Sequence, residues 1–312
     1  MPIATLTLNP AVDVTHEIRR LVPDRKVHAL ATRYDPGGNG INVGRALKRL
    51  NIPARTYCVL AGETGQFLER LLHRHLDDPA YVHIPGETRI NCTLWERETR
   101  SQYEVSGIGP RLDRSHLSEL LDAFTRHVAD GYGVVTGSVP PGVPDSVYAD
   151  LIGTIRAAGG RPVLDAHHEL LRQGVRAGPF LVKPNRYEIE QLVGRKLDGM
   201  KDVVAEVRRL IRRSGNIDYV CVSLGEEGAI LSSASRTWRA LPPRVEVRST
   251  VGAGDTLVAG LVAGFARGLD EPEILRLAVA CSAGTVAQPG TELFDPGALS
   301  ELMARVTIEI LN

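Results

Sequence analysis

The sequence predicts an α/β fold: a mainly parallel central sheet with helices on both faces and a small separate β-layer beside it. Three observations carry this expectation. Short, largely apolar runs recur along the chain, as strands buried on both faces require. Amphipathic stretches at helical spacing lie between them, which is the alternation of a βαβ chain. Two segments, residues 16–34 and 81–105, instead alternate polar and apolar residues and belong to no βαβ unit.

Taken in order, residues 3–8 read as a buried strand that stops at Asn9-Pro10. Residues 56–60, 133–136, 162–164, 180–182 and 219–222 read as further buried strands. Residues 41–50 form a helix that opens after a glycine cluster. Residues 201–213 place Val203, Val204, Val207, Leu210 and Ile211 on one helical face. Residues 251–265 are apolar nearly all round, which predicts a buried helix. Thr88-Arg-Ile-Asn-Cys-Thr-Leu-Trp95, then Glu96-Arg-Glu-Thr-Arg100, then Ser101-Gln-Tyr-Glu-Val105 predicts a hairpin. The β-layer is read as a lid or an interface; the alternative is an antiparallel edge on the main sheet.

Composition excludes several classes. A chain of 312 residues buries a sizeable core without staples. With 43% hydrophobic and 24% charged residues it lacks the signature of disorder. Lys+Arg and Asp+Glu are 37 each, so net charge is zero and the pI is about 7.1, against nucleic-acid binding, where a domain's pI usually exceeds about 9. Cys58, Cys92, Cys221 and Cys281 are widely spaced and form no disulfide framework. The N-terminus has no signal-peptide pattern, and no apolar run is long enough to span a membrane. The expectation is a soluble, cytoplasmic protein with reduced thiols, no nucleic-acid partner and no membrane partner.

Two glycine clusters carry the chemistry. The first is Asp35-Pro-Gly-Gly38-Asn39-Gly-Ile-Asn42-Val, leading into a helix. Glycines let backbone N–H groups approach a ligand, and a helix N-terminus adds partial positive charge. Asn39 and Asn42 add amides suited to sugar hydroxyls, while a plain turn before a helix is the bland alternative. The second is Ser249-Thr250-Val-Gly252-Ala253-Gly254-Asp255-Thr, which opens the apolar helix. Its amides converge into an anion-binding nest. Asp255 then reads either as a first-turn carboxylate favoured by the helix dipole or as a general base beside that nest. The second reading suits phosphoryl transfer to a hydroxyl. Neither cluster is a Walker loop or a dinucleotide fingerprint.

These two clusters, in this order and spacing, resemble the signatures of the ribokinase-like PfkB carbohydrate kinases. Lys183-Pro-Asn185-Arg-Tyr-Glu188-Ile resembles the family's metal-associated motif. Val222-Ser223-Leu-Gly225-Glu-Glu-Gly228-Ala resembles its nucleotide-side strand and turn, and Thr136-Gly-Ser-Val-Pro-Pro-Gly142 another of its loops. The resemblance covers essentially the whole chain. It implies one ribokinase-like three-layer kinase domain over residues 1–312, with lid strands at about 14–34 and 81–106.

Within the family the chain resembles the phosphosugar branch, which includes 6-phosphofructokinase, 1-phosphofructokinase and tagatose-6-phosphate kinase. Thr5-Leu-Thr-Leu-Asn-Pro-Ala-Val-Asp13 is that branch's opening. The resemblance implies that Asp13, Gly38, Asn39, Asn42 and Asn91 orient the sugar and that Arg89 and Lys26 hold its phosphate. Asp255, with the Gly252, Ala253 and Gly254 amides, would carry the transfer. Lys183, Asn185, Ser223, Gly225, Gly228 and Thr250 would meet ATP, and Asn185 and Glu188 would order Mg²⁺ through water.

Three departures qualify this. Asn39 stands where 1-phosphofructokinases and tagatose-6-phosphate kinases usually carry lysine and the minor 6-phosphofructokinases glycine. His167-His168 replaces a Ser-Gly pair usual in the branch and is read as loop. Gln288-Pro-Gly-Thr-Glu292 changes polar positions near a potassium site in relatives, so K⁺ activation stays open. The expected reaction is phosphorylation of fructose 6-phosphate at its 1-hydroxyl. The alternatives are 1-phosphofructokinase, tagatose-6-phosphate kinase, or another phosphosugar or cyclitol kinase. A catalytically idle sugar-phosphate sensor is the non-enzyme alternative, against which the retained Asp255 and its glycines speak. A homodimer closing through the lid is the expected assembly.

Overall fold

Residues 1–311 are described by a computed structural model. The chain opens with β1 (Ile3–Thr7), β2 (Ala11–Ile18), β3 (Ala29–Gly37) and α1 (Asn39–Arg49). Then come β4 (Arg55–Ala61), α2 (Gly62–His75), β5 (Asp78–Ile84), β6 (Arg89–Glu96), β7 (Ser101–Val105) and α3 (Arg114–His127). The middle alternates β8 (Tyr132–Thr136), α4 (Val147–Ala157), β9 (Arg161–Asp165), α5 (His168–Arg176), β10 (Leu181–Val182), α6 (Arg186–Val193) and α7 (Gly199–Ser214). The remainder is β11 (Tyr219–Ser223), β12 (Ala229–Ser232), β13 (Thr237–Leu241), α8 (Ala253–Ala266), α9 (Glu271–Val286), α10 (Leu299–Arg305) and β14 (Thr307–Leu311).

Ten strands form one sheet in the order β14-β13-β12-β11-β10-β9-β8-β1-β4-β5. From β11 to β5 every neighbouring pair is parallel, whereas β12, β13 and β14 join antiparallel at the other end. Side chains alternate across this sheet, and two apolar layers result. Val135, Leu164, Val182 and Val222 pack with Phe124, Tyr148 and Val207 on one face. Val134, Val163, Leu181 and Cys221 pack with Leu47, Leu257, Val258 and Leu277 on the other. Helix α8 is buried nearly all round because α1 and α9 also cover it. Every strand and helix expected from the apolar runs is present, with boundaries shifted by a few residues; α8 starts at Ala253 rather than 251.

The second sheet is β3-β2-β6-β7. Strand β2 pairs antiparallel with β3 and parallel with β6. This register sets Asp13 directly between Asp35 and Asn91. Val12 and Val14 turn to the opposite face and pack with Leu60, Leu68 and Leu72. The expected lid boundaries need correction. Residues 81–84 belong to β5, at the edge of the main sheet, because their apolar side chains continue its parallel register with β4. Strand β2 begins before residue 14, and residues 19–28 are a loop, not strand.

Candidate active site

The parallel strands release the chain at their carboxyl ends, where open α/β sheets place ligands. Asn9 follows β1, Ser138 follows β8, Asp165 closes β9, Lys183 follows β10 and Ser223 closes β11. Sequence order runs outward in both directions from β1, through β4 on one side and β8 on the other, so a crevice opens there.

Asp255 is the third residue of α8, and Gly252 before it has φ 77°, which admits the turn. No side chain caps this helix. The carboxylate is buried and held by two amides: Asn39 Nδ2 donates to Oδ1 and Asn42 Nδ2 to Oδ2, both at 2.9 Å. These two asparagines stand three residues apart in α1, so they share the face turned to α8. Each amide thus donates one of its two Nδ2 hydrogens to Asp255, a contact the sequence reading did not include. Gly38, with φ 123°, is the N-cap that lets α1 start there. Burial, reinforced by the Asp165 charge, pushes the Asp255 pKa up to about 6, against the pull of Asn42, Asn39 and Lys183.

Asp13 forms the second cluster. Asn91 Nδ2 donates to its Oδ1 at 2.8 Å, and the Gly107 N–H donates to Asn91 Oδ1 at 3.2 Å. Burial raises the Asp13 pKa to about 6, opposed by Asn91 and the nearby Arg89 charge. Arg89 shares the Asn91 face, as alternation predicts, but its guanidinium is partly spent in the chain. It donates to the Asn9 carbonyl at 2.8 and 3.2 Å and to the Gly107 carbonyl at 3.4 Å. Lys26 is not brought to this cluster. It is exposed in the loop after β2, beyond the far end of the strand that starts beside Asp13. The strand residues from Val14 to Ile18 separate Asp13 from that loop, roughly 17 Å at about 3.3 Å per residue, more than a lysine side chain spans.

A third cluster surrounds Lys183. Its Nζ forms a buried salt bridge with Asp165 at 3.0 Å. It also lies 3.7 Å from where a Cβ on Gly254 would stand, which puts the ammonium beside the start of α8. Burial works against this charge, but Asp165 and Glu188 outweigh it and hold the Lys183 pKa above its usual value. Asn185 and Glu188 form a capping box at the start of α6: Glu188 N donates to Asn185 Oδ1 and Asn185 N to Glu188 Oε2. Ser223 bridges to Asn185 as an isolated parallel pair. Gly225 and Gly228 bound the turn between β11 and β12, and Thr250 accepts from the Ala253 N–H just before α8. His167 lies in the turn before α5, as read from sequence, at the helix's N-cap position without a side-chain cap, and its ring contacts Glu188 Oε1; His168, also read as loop, is instead the first residue of α5. That contact raises the His167 pKa. Among the described residues, no three His, Cys, Asp or Glu side chains cluster as a direct metal site.

The pattern of the pfkB family carbohydrate kinases matches residues 5–296. The chain belongs to the pfkB family of carbohydrate kinases. It is 35% identical to 1-phosphofructokinase of Escherichia coli K12 over 99% of both chains. It is 31% identical to 1-phosphofructokinase of Bacillus subtilis, over 96% of this chain and 98% of that one. Among solved structures, phosphofructokinase-2 from Escherichia coli in complex with substrates and products superposes with a TM-score of 0.93 at 30% identity, covering 97% and 99% of the two chains. The ribokinase-like α/β fold and the kinase class expected from the motifs are thereby established.

In this pfkB kinase several site residues escaped the sequence reading. Arg45 donates to Asn42 Oδ1 at 3.0 Å and is buried. Asp165 ends an apolar strand at the sheet's ligand edge, a signal that was available. Ser138, inside a loop that was recognised, accepts from Asn9 Nδ2 at 3.2 Å. Arg45 and Asp35 gave no signal, because a charge inside a helix or strand normally faces solvent.

Proposed function

We propose that this pfkB kinase transfers the γ-phosphoryl group of ATP to the 1-hydroxyl of fructose 6-phosphate, forming fructose 1,6-bisphosphate. The observation that carries the transfer is the buried Asp255 carboxylate, gripped by two amides at the open N-terminus of α8. A second reading, fructose 1-phosphate phosphorylated at its 6-hydroxyl, is favoured by the full-length likeness to two 1-phosphofructokinases.

In this reading Asp255 is ionised above about pH 6 and takes the acceptor's proton. The bond from the sugar oxygen to phosphorus forms as the bond to the ADP oxygen breaks. The free amides of Gly254 and Asp255, with the Lys183 ammonium beside them, stabilise charge on the transferring group. Asp13 and Asn91 accept and donate to sugar hydroxyls. Arg89 keeps unused N–H donors for the sugar's phosphate, since a guanidinium has five. The Ser223, Gly225, Gly228 and Thr250 turns border the nucleotide. Asn185 and Glu188 suit a magnesium ion that keeps its waters: they are oxygen donors, and Glu188 is held ionised despite burial by His167, the Asn185 N–H and Lys183. Bound there with the nucleotide, the ion neutralises phosphate charge. Thr291 Oγ1 is buried without a partner in the loop that departs from relatives, which supports a monovalent cation nearby.

The chain's homodimer is proposed through the second sheet. Leu30, Tyr34, Ile90, Tyr103 and Val105 are exposed large apolar side chains on the face opposite Asp13 and Asn91, beyond the part that Val12 and Val14 pack on α2, and Ile108 follows the sheet. In a dimer, Lys26 of one chain has a route to its partner's Asp13 cluster that its own chain denies. A phosphofructokinase-2 relative is described in a tetrameric inhibited form. Among the described residues no helix is long and apolar enough to cross a membrane, and the four cysteines are unpaired; a cytoplasmic setting is part of the proposal. Coupled ATP turnover with fructose 6-phosphate, fructose 1-phosphate, tagatose 6-phosphate and fructose tests the function. Fastest turnover on fructose 6-phosphate is expected; preference for fructose 1-phosphate would select the second reading, and turnover on unphosphorylated fructose alone would reject both.

A further inference from the structure

The turn after β9 holds a contact that does more than keep Glu188 charged. Asp165 closes the strand, and His167 becomes the N-cap of α5. The backbone at His168 is left-handed, with φ 51°. Few residues with a Cβ adopt that conformation, and a histidine there is held by its surroundings rather than by its own preference. The turn carries the His167 ring across to α6, where Nδ1 meets Oε1 of Glu188.

The capping box fixes the other oxygen. Asn185 N donates to Glu188 Oε2 at 2.8 Å, and Glu188 N donates to Asn185 Oδ1 at 2.9 Å. A capping box alone secures one carboxylate oxygen and leaves the second without a fixed partner. Here α5 and α6 each hold one, so the Glu188 carboxylate plane has a single orientation. Each oxygen accepts one hydrogen bond and keeps capacity for another. A cavity of about 350 Å³, lined in part by His167, His168, Asn185 and Glu188, opens on this pair.

We propose that His167 is a positioning residue for the magnesium ion that accompanies the nucleotide, holding Oε1 of Glu188 so that both carboxylate oxygens face the ion's water shell in a fixed direction. The inference rests on the kinase reading given above. A cation that keeps its waters is held by hydrogen bonds from those waters to acceptors on the protein, and an acceptor already oriented loses less freedom on binding. Partners that orient such acceptors affect metal affinity almost as strongly as the acceptors themselves.

The test is calorimetric binding of a non-hydrolysable ATP analogue to wild type, His167→Ala and His167→Asn across a series of free Mg²⁺ concentrations, without sugar. The alanine variant is expected to need about tenfold more Mg²⁺ for half-maximal binding, at the low end for loss of an orienting partner. Asparagine, whose Nδ2 can take the place of the ring Nδ1, is expected to stay close to wild type. His167 is exposed, and thermal melting of each variant verifies that it is folded; His167→Ser substitutes for alanine if that variant melts out. A Mg²⁺ dependence unchanged in the alanine variant overturns the inference. Equal weakening in both variants also overturns it, because the ring's bulk rather than its hydrogen bond would then matter. Wild-type binding indifferent to Mg²⁺ overturns it too, whereas failure of the kinase reading itself shows separately, as absent turnover in the phosphosugar screen.

Discussion

Arg45 donates to the side-chain oxygen of Asn42 at 3.0 Å, and because a guanidinium can only donate, the Asn42 amide has one permitted orientation. Its NH₂ group must then face Asp255. Asn42→Ala is expected to remove the donor to Asp255 Oδ2 while leaving Asn39 in place. Loss of a hydrogen bond to the charged form raises the carboxylate's pKa further. The acid limb of the kcat profile should move upward by about one to two pH units, and kcat at pH 7 should fall by about two- to fifteenfold, as for a hydrogen bond to a charged group. A limb that stays in place would show that Asn42 does not tune the base.

Asp255→Asn is expected to abolish turnover and spare ATP binding. Removing a general base costs about 10²–10⁴-fold in rate. Asn42 cannot turn its amide to suit the new side chain, so Asn39 is the partner that must rotate. Steady-state turnover beside calorimetric nucleotide binding checks both halves; a variant retaining a third or more of wild-type kcat, on the same reasoning, would reject Asp255 as the base.

Asp13 and Asp255 both stand near pKa 6, above the ordinary 3.8. Activity needs the charged forms and should fall as pH drops through about 6. Stability runs the other way. A carboxylate whose pKa is raised on folding favours the folded state most when protonated, below the unfolded pKa, and that contribution is lost as pH rises through the folded value. Asp13→Asn keeps the acceptor for Asn91 and removes the buried charge, so it should raise the melting temperature at pH 8 and change it little at pH 4. Equal melting shifts at the two pH values would refute the buried-charge account.

Arg89→Ala should raise the KM for the phosphosugar by at least about tenfold, because a charge-assisted hydrogen bond to phosphate is worth roughly 1.5–3 kcal/mol. The KM for ATP should stay put. The Asn9 and Gly107 carbonyls lose their donor in this variant, so its melting temperature should also fall slightly. Kinetics with both substrates varied distinguishes a phosphate anchor, which moves one KM, from a structural strap, which moves only the melt.

Val105→Glu combined with Ile108→Glu should leave a monomer by light scattering. Both side chains are exposed, Val105 at the end of edge strand β7 and Ile108 just after it, where a partner sheet would have to bury the new charges. A dimer that persists would place the interface elsewhere.

The βαβ core was legible because each strand is a short apolar run and each helix an amphipathic one, as in residues 201–213. The second sheet was legible only as alternation. Nothing local says that Tyr81 continues a parallel strand while Arg89 starts another sheet, since both segments carry the same mixed pattern. The glycine clusters identified Asp255, Asn39 and Asn42 together, yet not that the two amides grip the acid, which depends on α1 and α8 meeting. The His167 contact was hidden for a similar reason. Its partner Glu188 lies on another helix, and no spacing along the chain announces that meeting.

The first strand also sets the order in which this molecule can be built. Strand β1 lies inside the sheet, between β4 and β8. During synthesis it can join β4 and β5 early, but its other edge has no partner until residues 132–136 have been made. Until then an apolar strand edge is open to the cell, the condition under which parallel sheets fold slowly and misassociate. The charged helix α3, which lies between β7 and β8 in the chain, must therefore be completed while that edge is still exposed. Folding yield should accordingly be sensitive to translation speed across residues 85–131, a stretch that contains the sugar-side Arg89 and Asn91 and none of the nucleotide-side residues.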